Sequence, residues 1–358
     1  MSLTLRQRMG LELHRSLRHN EARLHQLRTL FWECTLRCNM SCRHCGSDCK
    51  VQPDVPDMPS ADFLKVIDAL TPHVDPNNTF IIMTGGEALL RPDIESVGLE
   101  LYRRGYPWGL VTNGYLLDEE RLSSLVGSGM HSATVSLDGF EPEHNWIRRH
   151  GGSFGRAVEG IRLLAKERGV LWDVVTCVNR HNYATLRDFK EFLVGIGVRR
   201  WRLFSIFPMG RAAGDDELQL DDSDLRGLMD FIAESRAGDG RIEVSYACEG
   251  FLGGYEQRVR DRFFFCRAGI DVASIRCDGS ISGCTSIRSR MDQGNIYKDD
   301  FWDVWQNRFR PMRDRSWARK GRCAGCAVWR YCEGSGLHLY GDDGELLSCH
   351  YQRLFRKR

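Results

Sequence analysis

Three cysteines at C-x3-C-x2-C spacing, Cys38, Cys42 and Cys45, constrain this chain more than any other feature. Three thiolates on so short a loop can converge on one small object. Four would close a tetrahedral zinc site, so a zinc knuckle or a buried cysteine cluster is the plain alternative. Three suffice to hold three irons of a [4Fe–4S] cluster and leave the fourth iron open to another ligand.

The whole chain carries 14 cysteines in 358 residues, and they fall in tight, ligand-like groups. That pattern favours metal or iron–sulfur binding in a reducing, cytoplasmic setting over disulfides. A formal net charge of +2 supplies no strong positive field, which argues against general nucleic-acid binding. The terminal run Arg356-Lys357-Arg358 reads as a solvated tail. The N-terminus builds no unbroken apolar h-region, and no stretch is apolar and long enough to span a membrane.

Residues 4–27 place Leu5, Met9, Leu13 and Leu17 four apart, which predicts an amphipathic helix packed on the core by that stripe. From residue 29, strand-like runs at 29–34, 79–83, 108–111, 133–137, 172–178 and 201–207 alternate with helical stretches near 60–73, 93–104, 118–127, 154–167 and 183–196. Such alternation predicts a parallel sheet with helices outside it. The cysteine loop follows the first run, and Gly85-Gly86-Glu87 follows the second. The two glycines permit close backbone approach, and Glu87 adds an acceptor. In the fifth run Cys177 and Asn179 share a face, because strand side chains alternate. If that face is the lumen, Cys177 points inward; a small buried cysteine is the plain alternative.

Together the cysteine loop and the Gly-Gly-Glu turn resemble the radical S-adenosylmethionine (radical SAM) superfamily. The resemblance implies a partial (β/α)6 TIM-type barrel with its site at the C-terminal strand ends. It implies that Cys38, Cys42 and Cys45 hold a [4Fe–4S] cluster whose open iron chelates S-adenosylmethionine (SAM). The other SAM contacts it implies are Gly85, Gly86 and Glu87 at the amino group and His44 at the adenine. Asn113 and Ser136 stand in strand-end motifs, with Ser136 at the ribose. An arginine at the carboxylate, Arg148 or Arg149, and Asn179 complete the set. A lumenal Cys177 would then match the hydrogen-atom donors of radical SAM epimerases.

Cysteines return as Cys248, Cys266, Cys277, Cys284, Cys323, Cys326, Cys332 and Cys349. Their spacing resembles the SPASM extension, a cysteine-rich module that carries auxiliary [4Fe–4S] clusters. The match implies that Cys323, Cys326, Cys332 and Cys349 enclose a distal cluster; alone, four thiolates would also suit zinc. For a proximal cluster there are Cys266 and Cys284, with Cys248 or Cys277 as a third. The pattern expects a cysteine four after Cys332, where this chain has Gly336. One or two auxiliary clusters are therefore expected, the proximal one with an open iron or a non-cysteine ligand.

The domain reading is a helical segment at 1–28, the barrel at 29–214, a bridge at 215–247 and the cysteine-rich extension at 248–358. The expected activity is hydrogen abstraction from a carbon of a peptide or protein, leading to crosslinking, dehydrogenation or epimerisation. A reductant such as flavodoxin or ferredoxin would supply electrons. The same chemistry on a sugar or aminocyclitol is the alternative, and a non-enzymatic iron–sulfur sensor a third. Sulfatase maturases carry an acidic base directly after the cysteine equivalent to Cys284; Thr285 stands here, which argues against formylglycine formation.

Overall fold

The computed structural model describes residues 3–288 and 291–355; the basic run Arg356-Lys357-Arg358 lies outside the described residues. Helix α1 (Leu5–Leu24) leads into strand β1 (Thr29–Thr35). Then follow α2 (Ser60–Leu70), β2 (Phe80–Gly85), α3 (Ile94–Arg103), β3 (Trp108–Thr112), α4 (Glu119–Gly127) and β4 (Met130–Ser136). Next come α5 (Glu141–Arg148), α6 (Ser153–Leu164), β5 (Leu171–Val178), α7 (Leu186–Gly195) and β6 (Arg200–Ser205). The sequence-predicted strands are all present, within a few residues of their expected bounds.

The sheet goes further than the six strands. After α8 (Asp222–Ala237), β7 (Glu243–Tyr246) pairs parallel with β6, so the segment expected as a bridge extends the barrel instead. Strands β8 (Val272–Ile275), β9 (Ser280–Ser282) and β10 (Gly294–Asn295) come from the cysteine-rich extension. β8 runs parallel to β1, from Thr29 opposite Val272 to Trp32 opposite Ile275. The order is β10-β9-β8-β1-β2-β3-β4-β5-β6-β7, which does not return to its start. The barrel is therefore open, and its sheet is continuous with that of the C-terminal extension.

Parallel strands are buried on both faces, and these read as apolar runs for that reason. Trp32 of β1 is fully buried and stacks on Phe63 of α2 with ring centroids 4.2 Å apart. Side-chain caps set helix starts: Asp118 accepts from the Arg121 N–H, and Asp221 accepts from Ser223 and Asp224.

Helix α1 is capped by Thr4 and Gln7, but it does not pack as its leucine stripe predicts. Leu5, Met9, Leu13 and Leu17 are between 54% and 75% exposed. The buried face runs instead through Gln7, Leu11, His14 and Arg18. Gln7 donates to the Gly254 carbonyl (3.2 Å), and the His14 ring meets Phe263 (5.5 Å). Arg18 donates to the Tyr331 carbonyl (2.9 Å) and pairs with Glu333. Spacing of four on a 3.6-residue helix drifts round the axis, whereas i, i+4, i+7 stays on one face. The partner surface, in the cysteine-rich extension, seats Leu11 among Phe251, Phe264 and Val328 and receives Gln7 and Arg18 through backbone carbonyls, so the contact face is a mixed one and not the leucine stripe. We expect Leu13→Ala to change unfolding free energy by less than about 0.5 kcal/mol. Leu11→Ala should cost about 2 kcal/mol, as read by chemical denaturation.

Candidate functional site

The cysteine loop begins where β1 slips register between Glu33 and Thr35. The end of β2 props it from behind. Gly86 N–H donates to the Thr35 carbonyl (2.8 Å) and Glu87 N–H to the Arg37 carbonyl (2.9 Å). A β-carbon at Gly85 would lie 2.0 Å from the Thr35 oxygen, and one at Gly86 would lie 2.1 Å from that of Arg37. Both positions therefore require glycine, and Gly85 has a φ of +141° besides.

A cavity of about 180 Å³ opens above, lined by Cys38, Cys42, Cys45, His44, Gly85, Gly86, Asn113, Ser136 and Arg148 among others. Burial pushes the Cys38 thiol up to about 12 and also raises Cys42. The hydrogen bond from the Cys49 thiol, above all, pulls Cys45 down to about 5. Cys49 also lines the cavity, a fourth cysteine that the sequence reading passed over. Its place in a C-x3-C step after Cys45 was the available signal.

The sequence-predicted contacts take up different places. Glu87 is fully buried behind the cavity wall. Its carboxylate accepts from the Thr112 hydroxyl (2.8 Å) and the Asn113 N–H (2.7 Å), tying β2 to β3. Asn113 donates across to the Asn39 amide oxygen (2.8 Å). Asn179 is taken up in its own turn, donating to the Cys177 carbonyl (3.2 Å) and accepting from the His181 N–H (2.8 Å). Arg149 is exposed with φ 52°, whereas Arg148 is buried beside Cys42 Sγ (3.8 Å). Arg211 holds the loop: its Nε donates to the Cys42 carbonyl (2.8 Å) and its Nη1 to that of Cys49 (2.9 Å).

Asp138, at the end of β4, is fully buried and accepts from Arg148 Nε (2.7 Å) and the Cys177 N–H (2.8 Å). Burial, the largest single effect, pushes its carboxyl up, but Arg148, His44, His144 and the Cys177 N–H together outweigh it and hold it below the usual range. His44, Asp138 and Cys177 bring one polar atom each within 4.8 Å of one another. Burial holds His44 neutral, with its pKa down to about 4, and its Nδ1 has no protein partner. The Cys177 thiol faces this knot, and burial raises its pKa well above the ordinary value, so it keeps its hydrogen.

His144 accepts the Asp138 N–H at Nδ1 (3.0 Å), and burial, with Arg148 adding to it, lowers its pKa to about 3. The unfolded chain therefore binds a proton that the folded chain refuses as pH falls below the usual histidine range. Stability is accordingly full above about pH 6.5 and declines below it, by about 2 kcal/mol at pH 5 from this ring. A His144→Gln variant should flatten that part of a denaturation-against-pH curve.

The C-terminal cysteines form two groups. Cys323, Cys326, Cys332 and Cys349 lie close together: burial first, and then the other three sulfurs, raise the pKa of Cys332, and burial followed by Cys349 and Cys326 raises that of Cys323. In the second group, desolvation and then the nearby Cys284 and Cys266 push Cys248 up to about 11. Cys248, not Cys277, is thus the third member; Cys277 turns to the Pro56 carbonyl (3.6 Å). Between this group and the first cysteine loop lies a cavity of about 160 Å³. Gly46, Ser47, Thr84 and Gly85 line one wall, and Thr285, Ser286, Arg288, Phe207 and Met209 the other.

The comparisons with known proteins agree with this geometry. The model of the Radical SAM superfamily matches residues 32–193, and that of the iron–sulfur cluster-binding SPASM domain matches residues 266–327. The chain belongs to the radical SAM superfamily, in its SPASM branch. Its cofactors are accordingly SAM and [4Fe–4S] clusters. The site residues fit this set: Cys38, Cys42 and Cys45 face one cavity with Cys49 beside them, and Asn113, Ser136 and Arg148 bring polar groups to it. The AdoMet-dependent heme synthase of Nitratidesulfovibrio vulgaris is 24% identical over 342 residues, covering 90% of this chain and 91% of that one. The mycofactocin maturase MftC of Mycobacterium ulcerans is 29% identical over 336 residues, covering 88% and 86%. The structure of anSMEcpe with bound AdoMet matches with a TM-score of 0.70 at 18% identity, covering 91% of this chain and 90% of that one. Streptococcus suis SuiB bound to its precursor peptide SuiA matches with a TM-score of 0.66 at 17% identity, covering 90% and 75%. Among the described residues, no helix is long and apolar enough to cross a membrane.

Proposed function

We propose that this radical SAM enzyme acts on a carbon centre of a peptide or protein side chain, seated in the cavity between its two cysteine systems. The observation that carries this is the size and place of that cavity. At about 160 Å³ it is well below the roughly 300–1,000 Å³ of sites that enclose a drug-sized molecule. It suits one side chain inserted from a larger substrate that stays outside. The maturase MftC and the SuiB–SuiA complex, by their names, point the same way.

With its cofactors bound, the site supplies a 5′-deoxyadenosyl radical that removes a hydrogen atom from substrate carbon. The protein's own groups do the rest. Arg211 and the Gly85-Gly86 backbone fix the cysteine loop. Arg148, neutralised by Asp138, sets the charge beside Cys42. His44 stays uncharged and keeps Nδ1 free toward its neighbours. Cys177 holds a protonated thiol within the same knot; returning its hydrogen atom to a substrate radical would leave a thiyl radical, which one electron from the external reductant and one proton restore to the thiol, and Cys177→Ser is the variant that separates such epimerisation from net oxidation.

A second reading has its own support. Heme synthases match nine-tenths of the chain, and Arg288, paired to the buried Glu33, offers a cation at the cavity for a substrate carboxylate. The test is to incubate reconstituted enzyme, SAM and dithionite with carbon-deuterated precursor peptides and with deuterated iron-bound tetrapyrroles. Deuterium in 5′-deoxyadenosine from peptide alone supports the first reading. Transfer from the tetrapyrrole alone overturns it in favour of the second.

A further inference from the structure

We propose that His338 supplies the fourth ligand of the proximal auxiliary cluster, closing the iron that Cys248, Cys266 and Cys284 leave open. This rests on the second cysteine system and is independent of the substrate reading.

The argument starts at Gly336. A side chain there would project into the imidazole of His338: an ideal β-carbon lies 2.6 Å from its Cε1 and 2.9 Å from its Nδ1. The ring occupies the space in which the cysteine expected at that position would stand. Gly336 is thus what admits His338, since any β-carbon would displace the ring. The ring is held on its far side by Phe207, with centroids 4.9 Å apart.

The loop that carries the ring is bound to the cysteines it would complete. Arg315 donates through Nη1 to the Ser335 carbonyl (3.1 Å) and through Nη2 to the Cys266 carbonyl (3.4 Å). The Glu249 carbonyl, one residue after Cys248, lies 3.3 Å from the Gly336 β-position. Arg315 therefore ties Cys266 to the 335–338 turn, and the Cys248 segment lies against that turn.

His338 Nε2 is shut away from solvent and has no hydrogen-bond partner, a costly arrangement for a polar atom that nothing else satisfies. Neutral imidazole is a common metal ligand and replaces cysteine in some iron–sulfur centres. Three neighbouring polar atoms are also unpartnered: Glu249 Oε1, Ser335 Oγ and His350 Nδ1. They are less suited to the role. The Glu249 carboxylate is engaged by Ser205 (2.5 Å) and Tyr246, and His350 turns its Nε2 to the same group. Only His338 occupies the vacated side-chain position.

Two consequences follow. The proximal cluster offers no open iron, so substrate must be held by the cavity walls. A neutral ligand in place of a thiolate also leaves the cluster one negative charge short, which raises its reduction potential and favours accepting an electron.

The test uses the full chain carrying Cys38/Cys42/Cys45→Ala, so that only auxiliary clusters contribute. After anaerobic reconstitution it should hold about eight irons. The dithionite-reduced protein, grown with 15N-histidine, is examined by pulsed paramagnetic resonance. A strong single-nitrogen coupling is expected in this background. It should vanish in His338→Ala and in His338→Cys and persist in Glu249→Gln. His338→Cys keeps the iron count, which separates ligand loss from misfolding, and should titrate at a lower potential. About four irons in the background, or a nitrogen coupling absent from it or unchanged by either His338 variant, would overturn the proposal. None of these outcomes depends on which substrate the enzyme takes.

Discussion

Cys42→Ala is expected to abolish reductive cleavage of SAM, lowering 5′-deoxyadenosine formation with dithionite by at least about 100-fold. Loss of an outer-shell partner alone costs a metal site 10–100-fold, and a direct ligand costs more. The geometry explains why the effect should be local. The loop is fixed by its backbone: Arg211 holds the Cys42 and Cys49 carbonyls, and Arg43 N–H donates to the Ile147 carbonyl (2.8 Å). Removing the sulfur takes away a ligand and leaves the scaffold. Iron should fall by about four per chain, the content of one cluster, while unfolding behaviour of the iron-free protein is little changed. Undiminished 5′-deoxyadenosine formation in this variant would remove Cys42 from the cluster.

The second large effect is on stability. Asp138→Ala should cost about 3–5 kcal/mol, because it strands the buried Arg148 guanidinium without a counter-ion. It also removes the acceptor of the Cys177 N–H. A fall in Tm of about 4–7 °C is expected for the iron-free protein. Asp138→Asn keeps a hydrogen-bond acceptor but loses the charge, and should fall between wild type and alanine. Replacing the pair together, Asp138→Leu with Arg148→Met, should recover much of the loss, since buried ion pairs exchange for apolar groups at small net change. If Asp138→Ala costs less than about 1 kcal/mol, water reaches Arg148 and the pair is not the closed unit described.

The six barrel strands were legible because a parallel strand must be apolar on both faces, and each run is bounded by a helical pattern. β7 was not: Glu243–Tyr246 is four residues long and alternates polar with apolar positions, which suits a linker as well as an edge strand. The short β8–β10 were hidden by the cysteines around them. The leucine stripe of α1 misled because periodicity reports which face is apolar, whereas the partner surface selected a mixed face: Phe251, Phe264 and Val328 take Leu11, and Gly254, Tyr331 and Glu333 take Gln7 and Arg18. The ligand-type residues of the first loop were plain from spacing. Their supports were not, because Arg211 lies 166 positions beyond Cys45, and no local pattern ties the two. At the Gly-Gly-Glu turn the close backbone approach was legible from the two glycines, but not that Glu87 would spend its carboxylate on bracing two strands.

The pairing of β8 with β1 has a consequence for electron movement. β1 delivers the first cysteine loop, and β8 lies between Cys266 and Cys284 in the chain. Four residue pairs lock these strands edge to edge. The gap an electron must tunnel across is therefore set by a hydrogen-bonded lattice, with no flexible tether between the two iron-binding regions.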